Sequence, residues 1–241
     1  FGIFLDSIPD TWGRTLMKRK AAQEAKANQL KTLTLYDIDF LLGVYDGSRM
    51  GALRFKKDPE GEFLDNNQNA STPPWSSVRE LQYAAESIED DKDNDEIRKW
   101  LSILIAPGSS LGGARPKANI LDLDNSLWIA KFPSKSDTID KAAWEYLAYK
   151  IALQAGIEMA TSRIEKINGN YHTFFTKRFD RDQDKRIHFA SAMTMTGKNE
   201  ETIKDNLPSY LEIAEFISNY GINVESNLHQ LWRRIIFNIA I

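Results

Sequence analysis

Cysteine is absent from this chain. That excludes disulfides, thiolate zinc sites and cysteine nucleophiles at once, and it fits a reducing compartment, the cytoplasm. Also missing is any apolar run near the ~18 residues that a membrane helix needs. The opening Phe1-Gly2-Ile3-Phe4-Leu5-Asp6 lacks the basic start of a secretory signal, so no membrane partner is expected. There is no excess of positive charge either: 31 Lys and Arg stand against 34 Asp and Glu, a net charge of −3. Proteins that hold nucleic acid through bulk charge are usually basic, so direct nucleic-acid binding is not expected. An initiator Met is lacking, and Phe237-Asn238-Ile239-Ala240-Ile241 closes the sequence on apolar residues with no polar tail. Native termini are usually polar and exposed, so the sequence reads as an internal piece of a longer protein. What is present is ample core material: 42% of the 241 residues are hydrophobic, enough for one or two domains.

Apolar spacing and capping residues predict helices over 10–30, with Asp10 as N-cap, and over 35–44. Two short strands, 51–56 and 62–64, are expected around Pro59-Glu60-Gly61, then a loop over 65–77 and helices at 76–86 and 95–105. From Pro107 the pattern changes. A glycine-rich turn leads to alternating strands at 117–122 and 127–132, then a helix over 138–155 ended by Gly156. A hairpin of 160–167 and 172–179 turns at Asn168-Gly169-Asn170. Another strand near 187–192 and helices at 208–220 and from 225 onward complete the pattern. The class is α+β: an N-terminal helical module with a short β-hairpin (1–105), then a nucleotide-binding β-rich part and the start of a helical one (106–241).

Several candidate sites reduce to ordinary structure. Asp91-x-Asp93-x-Asp95 imitates a calcium loop, but Glu96 stands where glycine must turn and Ser102 where a bidentate acid is needed. It reads as a solvated helix start. His172, His188 and His229 have no metal-ligand spacing. The segment from Gly108 through Ser110, Gly112, Gly113, Ala114, Arg115 and Pro116 to Lys117 is more informative. It is no Walker loop, because Ala114 replaces the required Lys, and no dinucleotide fingerprint, because it precedes a strand. Its small residues still let backbone N–H groups close on phosphate oxygens. Downstream, Lys131 lies in the apolar strand Trp128-Ile129-Ala130-Lys131-Phe132, and Glu145 lies on the following helix. A strand Lys paired with a helix Glu, after a glycine loop, is how kinases position nucleotide phosphates.

Ser110-Leu111-Gly112-Gly113-Ala114-Arg115-Pro116-Lys117, Ile129-Ala130-Lys131-Phe132-Pro133 and Lys177-Arg178-Phe179-Asp180-Arg181 resemble the HipA-like toxin serine/threonine kinases, as does Ile8-Pro9-Asp10-Thr11-Trp12-Gly13-Arg14. The resemblance implies a kinase-like bilobal fold that takes ATP and Mg2+, and a toxin role beside a DNA-binding antitoxin of the HipB type. It implies a protein substrate such as an aminoacyl-tRNA synthetase. Residues 112–117 would form the phosphate-binding loop, and Ser110 would be the autophosphorylated serine that silences the enzyme. Lys131 would anchor the nucleotide with Glu145 as partner. Lys177, Arg178 and Phe179 would form the adenine hinge, with Asp180 near the ribose; Lys177 replaces the acidic residue expected there. The catalytic Asp, its metal-binding Asn and a later metal-binding Asp would follow Ile241, so no catalytic or metal-ligating residue is expected in this chain. A non-catalytic nucleotide- or antitoxin-binding scaffold is the alternative, and a lipid or small-molecule kinase stays open.

Overall fold

The computed structural model describes residues 2–67, 71–90, 101, 104, 113–199, 202–205 and 207–241. The architecture is α+β, with antiparallel sheets and helices on both faces of the main one. Helix α1 (Thr11–Ala27) starts at Asp10, whose side chain accepts from the Gly13 N–H. Helices α2 (Asp37–Leu42) and α3 (Val78–Glu89) follow. Strands β1 (Lys117–Leu121) and β2 (Leu127–Lys131) form a hairpin, with Asn125 in the left-handed region at φ +59°. Helix α4 (Lys141–Gln154) then leads to β3 (Ser162–Glu165) and β4 (Thr173–Lys177). The sheet order is β1-β2-β4-β3, antiparallel throughout.

Strand alternation sorts the two faces. Ala118, Ile120, Trp128, Ala130 and Phe175 join Phe132 in one core with Val78, Leu81, Ala84, Ala85 and Ile88 of α3. Trp12 and Leu16 of α1, and Leu101 and Leu104 of the expected 95–105 helix, belong to the same core. The core therefore crosses residue 105. Helix α4 contacts β3 and β4, and it brings Glu145 to Lys131 on the face opposite that core. Helices α7 (Tyr210–Tyr220) and α8 (Val224–Ala240) pack on each other. Between α4 and these lie β5 (Arg181–Asp182), β6 (Lys185–Arg186), α5 (Ala192–Met195) and α6 (Thr202–Asp205). Among the described residues, no helix is long and apolar enough to cross a membrane.

Two expectations are corrected. In place of strands at 51–56 and 62–64 there is a single bridge, Phe55 to Leu64. A two-stranded ribbon without a sheet neighbour is marginal, and here side chains hold the segment instead, with Arg54 3.5 Å from the Phe63 ring centroid. The strand near 187–192 is also replaced. Pairing occurs earlier, across Arg181–Asp182 and Lys185–Arg186, with Gln183 at φ +51° in the turn. Ser191 leaves strand geometry because it caps α5 and donates its N–H to Asp6 at 2.7 Å.

Candidate functional site

The site begins with β2. Its alternation turns Ala130 into the core and Lys131 to the other face, beside Phe174 of β4. The Lys131 ammonium lies 5.3 Å from the Phe174 ring centroid and donates to Glu145 Oε1. Both side chains are about as exposed as rim groups, 34% and 42%, so the pair remains open to a ligand. Glu145 sits one turn inside α4, and the start of α4 is firmly fixed. Asp140 accepts from the Ala143 N–H at 3.1 Å and pairs with His172 Nδ1 at 2.5 Å. Burial pushes the Asp140 carboxyl up, but the hydrogen bonds from His172 and Ala143 outweigh it and hold the group below its ordinary value.

Ser110 and Gly112 lie outside the described residues. Gly113 adopts φ +99°, a conformation that favours glycine. Ala114 and Pro116 lead into β1, where the Pro116 carbonyl accepts from the Phe132 N–H. Arg115 makes a two-pronged pair with Asp137 at 2.8 and 2.5 Å. Burial raises the Asp137 carboxyl, but Arg115, the Ser134 N–H and Lys141 overcome it and hold the group down to about 2. Lys117 is buried; its ammonium pairs with Asp10 at 2.6 Å and donates to the Gly113 carbonyl at 3.1 Å. Arg115 and Lys117 thus brace the loop to the rest of the fold instead of presenting free cations.

The N–H groups of Lys177 and Arg178 donate to Thr161 and Leu127 inside the sheet. The Lys177 ammonium lies 3.6 Å from Asp124, and Phe179 is half exposed, packed edge-on to Phe189. Arg178 and Asp180 are fully enclosed. Asp180 accepts from Arg178 at 2.8 and 2.6 Å, from Arg181 at 2.6 Å and from the Gly51 N–H at 2.7 Å. Its carboxylate is therefore directed at the 47–51 segment. Burial raises this carboxyl, yet the arginines hold it below its ordinary value.

The structure thus brings Lys131 and Glu145 together and spends Arg115, Lys117, Arg178 and Asp180 on internal pairs. Sequence reasoning missed Asp10 and Asp137 as the partners of Lys117 and Arg115. Lys117 and Asp10 are 107 residues apart, and no local pattern signals such a pair. Among the described residues, no group of three His, Asp or Glu is placed to hold a metal ion. The Asp91–Asp95 run lies outside the described residues. The family model for the HipA-like C-terminal domain matches residues 109–241. No curated protein matches the chain.

Proposed function

The chain belongs to the HipA-like family, and from that premise we propose that it forms the nucleotide-gripping part of a toxin serine/threonine kinase with a kinase-like bilobal fold. The observation that carries this reading is the Lys131–Glu145 pair, formed between strand and helix and still open to solvent. ATP would supply the γ-phosphoryl group for a protein Ser or Thr hydroxyl. In this chain, Lys131 would hold phosphate oxygens, and Glu145 would fix the ammonium while the capped start of α4 fixes Glu145. Because the Lys177 and Arg178 N–H groups are engaged, reading of adenine would fall to Phe179. The described residues fit a triphosphate better than a metal: they offer Lys131 to phosphates but no cluster to magnesium. A HipB-type antitoxin that binds DNA, and an aminoacyl-tRNA synthetase as protein substrate, belong to the same proposal, as does a cytoplasmic location. Phosphate on Ser110 would add about −1.5 to −2 charges beside the nucleotide phosphates and open the loop, silencing the enzyme.

One experiment tests the reading. The full-length protein is incubated with ATP and phosphate on Ser110 is followed by mass spectrometry. Wild type should label, and Lys131→Ala should label at least about 100-fold more slowly through lost charge stabilisation. Its thermal stability should barely change, since an exposed ion pair contributes at most ~1 kcal/mol. Labelling of Lys131→Ala at the wild-type rate would sink the nucleotide assignment. A wild type that binds nucleotide but never labels would favour the scaffold reading.

A further inference from the structure

The β3–β4 hairpin turns through Asn168-Gly169-Asn170, a segment that the nucleotide site does not use. Strand β3 ends at Glu165 and β4 begins at Thr173, so residues 166–172 lie outside the ladder. Both ends of this turn are anchored. Ile167 packs against the main core, and the His172 N–H donates to Asp140 at 3.3 Å. Between the anchors, Asn168, Gly169 and Asn170 are exposed. Gly169 sits at φ +74°, and no neighbouring atom lies within 4 Å of the space a side chain would fill there. Among the described residues, the Gly169 N–H has no acceptor and the Asn168 side-chain amide has no partner.

An asparagine loses its own amide when the next nitrogen along the chain is unbonded, open to approach and carried on backbone free to rotate. Glycine leaves the approach open because it has no Cβ, and a turn outside the ladder opens at little cost. We propose that Asn168 is a self-modifying position that deamidates in the folded protein, with water as co-reactant. The Gly169 nitrogen gives its proton to solvent and attacks Asn168 Cγ. The new C–N bond closes a five-membered imide, and the side-chain nitrogen leaves as ammonia. Water then opens the ring. Cleavage at Cγ leaves aspartate, whereas cleavage at the main-chain carbonyl carbon leaves isoaspartate, with the chain rerouted through Cγ. Either way an amide and water become a carboxylate and ammonium, and nothing is oxidised or reduced.

The two products act differently on the fold. The Asn168 main-chain carbonyl accepts from Gln82 Nε2 at 3.1 Å. Gln82 is buried on α3, accepts from Thr173 Oγ1 at 3.1 Å and donates to Glu86 at 2.9 Å. It therefore links α3 both to the turn and to the first residue of β4. Aspartate keeps that carbonyl in place. Isoaspartate converts it into a free carboxylate and adds a methylene to the main chain, so the turn no longer meets Gln82 in the same geometry. An enclosed amide donor that loses its acceptor is costly, and the isoaspartate form is the less stable of the two.

Ageing the purified chain at mildly alkaline pH tests this, beside the same chain unfolded in guanidinium chloride. Peptide mass spectrometry follows each asparagine for exchange of NH2 by OH. In the folded chain, Asn168 should convert at a rate within about threefold of the unfolded one. Asn170 lies in the same turn but is followed by Tyr171, and it should convert at least about tenfold more slowly. The deamidated fraction, isolated by ion exchange, should contain isoaspartate and unfold at a lower urea concentration than Asn168→Asp. That variant carries the same charge on an ordinary backbone. None of these readouts involves ATP or Lys131. An Asn168 that stays intact in the folded chain while the unfolded chain converts would overturn the site, as would equal conversion at Asn170. Equal urea midpoints for the deamidated fraction and Asn168→Asp would overturn the role of the Gln82 link.

Discussion

Lys117 and Lys131 stand opposite one another across β1 and β2, but their surroundings give them different work. Lys117 shares an enclosed pair with Asp10, whereas Lys131 shares an open one with Glu145. Breaking a buried pair leaves an uncompensated charge, so Lys117→Met should lower the unfolding free energy by about 3–5 kcal/mol, read from urea melts. Asp10→Ser keeps an N-cap oxygen while removing the charge. Added to Lys117→Met, it should recover most of the loss. If Lys117→Met instead kept wild-type stability and lost nucleotide affinity, Lys117 would belong to the phosphate loop after all.

At the scale of elements, α4 is the part that carries Glu145 to the sheet, and its first turn is held by one residue. Asp140 accepts from Ala143 with one oxygen and pairs with His172 through the other. Asp140→Ala should cost about 1–2 kcal/mol through the lost cap, and by fraying α4 it should weaken nucleotide binding several-fold. Asp140→Ser restores the cap without the carboxylate and should recover the stability more than the His172 contact. Amide exchange at Ala143, measured beside a nucleotide titration, reads both effects. Unchanged exchange with weakened binding would mean that α4 does not position Glu145. The far end of α4 is tied differently. Gly156, at φ +71°, offers its carbonyl to Gln230 at 3.1 Å and Arg233 at 2.9 Å, so polar contacts dock α8 there.

Across the whole molecule, one core joins α1, α3 and the sheet, and Asp137 ties the 113–117 segment to the start of α4. Its carboxyl sits at about 2 in the folded protein against an ordinary value of 3.8. A depressed folded value stabilises above the unfolded one and is lost as pH falls through the folded one. Asp137→Asn should therefore be less stable than wild type by on the order of 2 kcal/mol at neutral pH. The gap should hold down to about pH 4.5 and close by about pH 2, as both proteins then carry a neutral group. Urea melts across that range check it, and a gap independent of pH would remove Asp137 from the acid response.

The sequence alone was enough for β1, β2, α4, β4, α7 and α8, because their periodicity, caps and glycine stops are local signals. It was also enough to nominate Lys131 and Glu145, since an ammonium on an apolar strand needs a partner and the next helix supplies one. It could not show where Lys117 and Arg115 are held, because their carboxylate partners lie 107 and 22 residues away. Arg178 and Asp180 pair with each other locally, but their remaining contacts, to Ser48 and Gly51, lie 130 and 129 residues away. A motif records residue type and spacing, but whether a charge faces a ligand or a distant carboxylate depends on which surfaces the core brings together. The same holds for Arg54 and Arg186, 132 residues apart in sequence, which only tertiary packing brings to one carboxylate, Asp46.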